Sequence, residues 1–185
     1  MDRRDLFKIL GAGMAIGPEV LAQHEHLPSG ASPIDVAHYQ PRFLSAQEYK
    51  VLGRLCDIIM PADEASPGAC EAGVPFYIDS LLVYAKPELQ QVWRSGLAQV
   101  QTAAKAKFDH SFDGCQPQEQ EEIVADMAIN ETDPQTPLQS FFRPLKDLTL
   151  TGYCLSDAGM RQYLGYQGDR AIKDFPGCTH PQHQV

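Results

Sequence analysis

The chain has 185 residues, with 15 basic and 24 acidic side chains and a formal net charge of −9. This balance disfavours contacts with nucleic acid or with an anionic membrane surface, because both need clusters of Lys and Arg. The length is sufficient for one domain with a hydrophobic core.

The N-terminus has the pattern of an export signal. Two arginines precede apolar residues and a lysine, and a glycine-containing apolar run then extends to residue 16. That run is shorter than the roughly 20 residues a membrane-spanning helix needs. The order resembles the twin-arginine signal and predicts cleavage after Ala22 and a periplasmic location, although an ordinary basic N-terminus in the cytosol remains the alternative. The signal residues are Arg3, Arg4, Leu6, Phe7 and Lys8.

Residues 23–42 contain Pro, Ser, Gly and His without periodicity, which predicts a linker or an extended arm. The domain, residues 43–185, is predicted to begin with a helix. Ser45 and Glu48 have the spacing of a capping box, and apolar residues then recur at helical spacing as far as Pro61. This stripe includes Cys56, which is therefore predicted to face the core.

Prolines or caps mark the starts of the later helices, at Pro75, Pro87, Pro117 and Thr136. The helix from Pro87 is the longest, and its predicted apolar stripe comprises Leu89, Val92, Trp93, Leu97, Val100, Ala104 and Phe108. Pro144 is expected to kink or divide the helix that follows Thr136. A short helix is predicted from residue 156 to 164, with an extended tail from about residue 165. The predicted fold is all-α, a single irregular bundle of five to six helices.

The five cysteines contain no C-x-x-C pair, which disfavours zinc, ferredoxin and thioredoxin-type sites. Their odd number leaves at least one thiol unpaired within the chain. Cys70 and Cys115 lie in predicted loops that could meet, which leaves Cys154 or Cys178 for a bridge to each other or to another chain. We expect Cys178 to lie at or near a partner interface.

The sequence lacks the short motifs of nucleotide-binding, hydrolase and zinc-protease sites. No phosphate-binding glycine loop follows a strand, and neither G-x-S-x-G nor H-E-x-x-H occurs. The sequence therefore predicts no catalytic, cofactor-binding or metal-binding residue. A weaker alternative is metal handling by the terminal histidine pairs, which are His24 with His26 and His180 with His183.

Aromatic and cysteine residues gather near the C-terminus, where little predicted helix is left to bury them. They could pack on the bundle's own core. The other reading is a partner interface, because tyrosine and arginine often anchor protein contacts. The candidate interface residues are Tyr153, Cys154, Arg161, Tyr163, Tyr166, Phe175 and Cys178, with Arg170 as a further charged anchor.

Three stretches resemble the gluconate 2-dehydrogenase subunit 3 family, and the similarity runs from about Phe43 to Cys178. They are "FLSAQEYKVLGRLCDIIMPADEASPGACEAGVPFYID", "FFRPLKDLTLTGYCLSDAGMRQYLGY" and "FPGC". The "L-x-L-x-G-Y-x-x-S" pattern followed by "Y-x-G" is their most distinctive part.

The resemblance implies a small subunit without its own cofactor, exported by the twin-arginine route. Its partner would be a large FAD-dependent oxidoreductase of the glucose-methanol-choline type, which acts on a sugar, glycoside or sugar acid. The small subunit would carry the signal for both chains. A separate c-type cytochrome subunit, with haem, often accepts the electrons, and membrane association would come through such a partner. The alternative is a stand-alone periplasmic helical domain that binds a small ligand between its helices.

Overall fold

A computed structural model describes residues 38–166 and contains five α-helices in that range. A 3₁₀ turn, Phe112–Gly114, separates the third and fourth helices, and a π-helical turn, Gly159–Tyr163, follows the fifth. The described residues contain no strand, so the all-α prediction is confirmed. The helices are α1 (Ala46–Ile59), α2 (Val74–Val83), α3 (Pro87–Phe108), α4 (Pro117–Ala128) and α5 (Pro137–Leu155).

The helix starts follow from local chemistry, as the sequence predicts. At the start of α1 the Ser45 hydroxyl accepts the Glu48 N–H at 3.2 Å, and the Glu48 carboxylate accepts the Ser45 N–H at 2.8 Å. This capping box satisfies two backbone donors that the first helical turn leaves unpaired. At the start of α5, Thr136 accepts the N–H of Gln139 at 3.2 Å. Each of α2 to α5 also has a proline in its first two positions.

Helix α5 lies at the centre of the bundle and contacts each of the other four helices. Its buried side chains include Phe141, Phe142 and Leu145. The Trp93 ring of α3 packs edge-to-face on Phe141, with 5.3 Å between ring centroids. Such edge-to-face pairs add to the free energy gained from burying the two rings.

One detail of the predicted helices is wrong. Leu89 and Val92 were expected on the buried stripe of α3, but their side chains are 37% and 44% exposed. The buried residues of α3 begin at Trp93, so the first turns of this helix contribute little to the core.

Pro144 was expected either to kink or to divide its helix, and division is excluded, because α5 runs without interruption from Pro137 to Leu155. Burial of Phe141, Phe142 and Leu145 around the proline stabilises the helix against the loss of one backbone donor. The short helix predicted after Ser156 is observed as the π-helical turn.

The cysteines within residues 38–166 are all free thiols. Cys56 is fully buried, as predicted, and its Sγ lies 3.4 Å from the Thr149 hydroxyl. The suggested pairing of Cys70 with Cys115 is not formed: Cys70 packs beside Gly53 of α1, whereas Cys115 follows the 3₁₀ turn. In the part of the chain that the structure covers, no helix is both long and apolar enough to cross a membrane.

Candidate partner interface

Four large apolar side chains are exposed at the C-terminal end of α5 and in the turn that follows it. Leu155 is 63% exposed, Tyr163 57%, Leu164 56% and Tyr166 39%. We call these four residues the C-terminal apolar patch. Grouped exposed apolar side chains on a small domain mark a surface suited to protein contacts.

Tyr153 belongs to the core and not to this surface. Its side chain is completely buried, and its hydroxyl donates to the carbonyl oxygen of Pro67 at 2.8 Å. The sequence contains a signal for this burial, because Tyr153 follows buried Leu145 and Thr149 at steps of four, which places all three on one helix face. Tyr153 was predicted to contact a partner, but its buried side chain instead supports the exposed Tyr163. The two rings pack edge-to-face, with 6.0 Å between their centroids.

A tight turn after α5 fixes the position of the patch. The Ser156 hydroxyl donates to the Tyr153 carbonyl at 2.7 Å and accepts the Gly159 N–H at 2.9 Å. A Cβ on Gly159 would lie only 1.8 Å from the Tyr153 carbonyl oxygen, so only glycine fits there. The N–H of Tyr166 then donates to the Met160 carbonyl at 2.8 Å. Tyr163 is therefore held on a well-defined backbone.

The other predicted interface residues differ in position. Arg161 is exposed on the same turn, and its Nε lies 2.5 Å from the Asp157 carboxylate, whose hydrogen bond raises the pKa of Arg161. Cys154 is partly exposed. The remaining three, Phe175, Cys178 and Arg170, lie outside the described residues, as do the signal residues and the terminal histidines.

A shallow apolar groove of about 210 Å³ adjoins the patch. It lies between the start of α2 and the end of α5, and Leu155 belongs both to the groove and to the patch. The two helices approach closely at Gly152, where a Cβ would lie 2.8 Å from the Tyr77 ring. The lining residues are Ala72, Gly73, Phe76, Tyr77, Gly152, Leu155 and Ser156.

A larger open groove of about 600 Å³ lies between α3 and the start of α5. Its walls include Val92, Ser95, Pro134, Pro137 and Phe141. Sequence reasoning missed this groove, because it assigned Val92 to the core. Within residues 38–166, no group of three or more His, Cys, Asp or Glu side chains has the arrangement of a metal site.

Comparison with known families gives one match that covers most of the described residues. The family model described as gluconate 2-dehydrogenase subunit 3 matches residues 46–169. The match runs from the first residue of α1 through the C-terminal apolar patch. No curated protein and no solved structure matches the chain significantly.

Proposed function

The chain belongs to the gluconate 2-dehydrogenase subunit 3 family, and from this premise we propose that it is the non-catalytic small subunit of a periplasmic FAD-dependent dehydrogenase. The family's members are accessory subunits that associate with other dehydrogenase subunits. In the proposed complex, a large partner of the glucose-methanol-choline type holds the FAD and oxidises a sugar, glycoside or sugar acid. A c-type cytochrome with haem is the proposed electron acceptor.

The C-terminal apolar patch is the observation that carries this proposal. Its tyrosines provide large rings with few rotatable bonds, which favours their use as anchors in protein interfaces. Tyr163 also packs on the buried Tyr153 ring, and this contact lowers the side-chain entropy that is lost on binding. The turn around Gly159 supplies the rigid backbone that such an anchor requires.

The proposed role in export rests on the N-terminal pattern that begins with Arg3 and Arg4. The twin-arginine route carries folded proteins. A partner that has already bound its flavin could therefore cross the membrane attached to this chain. The small subunit would also stabilise the large one, because any partner that binds only the folded state shifts the folding equilibrium towards it.

The first test is copurification from the native host. A C-terminally tagged chain is purified from the periplasm, copurifying chains are identified by mass spectrometry, and the visible absorption spectrum is recorded. We expect a flavin spectrum and a stoichiometric large oxidoreductase. A colourless chain that purifies alone would contradict the proposal and would favour a stand-alone domain that binds small ligands, with the groove between α3 and α5 as its site.

A pair of matched double variants locates the interface. Tyr163→Ser with Leu164→Ser removes two exposed side chains of the patch, and we expect loss of the large subunit from the purified sample. The control, Tyr84→Ser with Ile129→Ser, changes side chains that are 80% and 52% exposed at the ends of α2 and α4. The control should retain the partner. Equal retention by both variants would exclude the patch as the main contact.

A further inference from the structure

A buried carboxylate on α2 binds the chain just before α1. Asp79 is fully buried, and its two oxygens accept backbone N–H groups from Arg42 at 2.7 Å, Phe43 at 3.2 Å and Leu44 at 2.8 Å. The Tyr39 hydroxyl donates to the same carboxylate at 2.6 Å. The last residues of the segment predicted as a linker therefore lie on the helical body.

A second side chain, Arg94 of α3, holds the same segment. Its guanidinium donates to the Phe43 carbonyl at 3.0 Å and also lies over the Phe43 ring, 4.3 Å from the centroid. Glu48 lies 3.7 Å from the other terminal nitrogen of this guanidinium. Phe43 is thus bound through its N–H, its carbonyl and its ring by two different helices.

The chemistry of these contacts makes them mutually dependent. A buried carboxylate is costly unless hydrogen bonds replace the water it has lost, and here three consecutive backbone donors and a phenol replace that water. Burial, together with the hydrogen bond to Asp79, raises the pKa of Tyr39, so this phenol stays a donor well above neutral pH. The Tyr39 ring packs edge-to-face on Phe76, also of α2, at 4.7 Å.

We propose that residues 39–44 form a folding-dependent strap, which closes on Asp79 and Arg94 once α2 and α3 have both packed against α5. The closed strap fixes the point at which the N-terminal segment leaves the folded domain. It also protects the peptide bond after Arg42 from proteases, because a backbone held in hydrogen bonds cannot enter an extended protease cleft. Opening of the strap is a local event that leaves the remaining helices folded. This inference goes beyond the proposed function and does not depend on it.

The test is hydrogen exchange on the full-length chain, combined with limited trypsin digestion. In Asp79→Asn the charge that strengthens the three hydrogen bonds is lost. We expect amide exchange at residues 42–44 and cleavage after Arg42 to accelerate by about tenfold, while the interior of α3 around Leu97 keeps its protection. The matched control is Asp63→Asn, which changes an exposed carboxylate that also accepts backbone N–H groups, those of Ala65 and Ser66. The control should leave the strap unchanged.

A second variant keeps the test decisive if Asp79→Asn does not fold. Arg94→Ala removes an exposed side chain, and we expect the same local acceleration at residues 42–44. Unchanged exchange at these amides in the folded variants would overturn the proposal. The same conclusion follows if exchange at residues 42–44 rises only together with exchange in the interior of α3, because the strap would then open only by global unfolding.

Discussion

Gly96 of α3 and Phe141 of α5 meet where a larger side chain has no room, since a Cβ on Gly96 would lie 2.2 Å from the Phe141 ring. The same phenyl ring packs edge-to-face on Trp93, three residues earlier in α3. Phe141 is thereby enclosed by one face of α3. This contact sets how closely the longest helix approaches the central one.

We expect Gly96→Ala to destabilise the protein by about 1–3 kcal/mol, because an overpacked core must shift to relieve the contact. In an exposed helix interior the same change stabilises by roughly 0.5–1 kcal/mol, so the direction of the stability change distinguishes a tightly packed glycine from an exposed one. Urea denaturation followed by the fluorescence of Trp93 measures the free energy of unfolding. Ser95→Ala, at an exposed neighbouring position, is the control and should be close to neutral. A Gly96→Ala variant as stable as the wild type would contradict the packing described here.

Tyr153→Phe removes the hydroxyl that donates to the Pro67 carbonyl. We expect a loss of about 1 kcal/mol in the free energy of unfolding, which is typical of one hydrogen bond. Tyr84→Phe, at a tyrosine that is 80% exposed, should change nothing measurable. Thermal or urea unfolding of the three proteins measures this loss, and equal stability of all three would show that the hydrogen bond to Pro67 does not stabilise the fold.

Ser45→Ala should cost about 1 kcal/mol of stability, because the N–H of Glu48 loses its acceptor. Glu48→Gln retains an oxygen that accepts the Ser45 N–H and should therefore keep most of the capping energy. The comparison uses the midpoint of urea unfolding. If Glu48→Gln were as damaging as Ser45→Ala, the charge of Glu48 and its proximity to Arg94 would be more important than the cap.

Cys70 should react slowly with alkylating agents although the residue as a whole is exposed, because its Sγ lies against α1 beside Gly53. Desolvation, followed in importance by the nearby Asp57 carboxylate, raises the pKa of this thiol to about 12, and only the thiolate is the nucleophile. Asp57→Asn removes the negative charge and should lower the pKa, so that alkylation at pH 8–9 becomes several-fold faster. Peptide mass spectrometry over a range of pH gives the rate at Cys70 alone. Glu71→Gln, at the adjacent carboxylate, is the control, and an equal acceleration in both variants would argue against a specific effect of Asp57.

The parts of this fold that sequence predicts are those that depend on neighbouring residues. Pro87, Pro117 and Thr136 mark helix starts. A capping side chain such as Thr136 accepts a backbone N–H of the first turn three residues later, and a proline in that turn has no N–H that needs a partner. Exposure of Val92 could not be predicted in this way. Periodicity shows which face of a helix is apolar, whereas coverage of that face depends on where the other helices end.

Contacts between distant segments limited the prediction of the site and of the strap. The buried Tyr153 hydroxyl donates to the carbonyl oxygen of Pro67, which lies 86 residues earlier in the chain. Asp79 accepts from a segment 35 to 40 residues before it. No local pattern marks these partners. The exposure of Tyr163 and Leu164, by contrast, follows from their place beyond the last long helix.

The central position of α5 has a consequence for how the nascent chain acquires its structure. A ribosome delivers the chain from its N-terminus, and domains generally fold as complete units during or after synthesis. Here the four earlier helices contact one another in part, but all of them also contact the one made last, so part of their apolar surface stays uncovered until α5 is made. The bundle can close only after residue 155 has left the ribosome. Folding is therefore a late event in the synthesis of each molecule, and chaperones that bind exposed apolar segments have most of the period of translation in which to act.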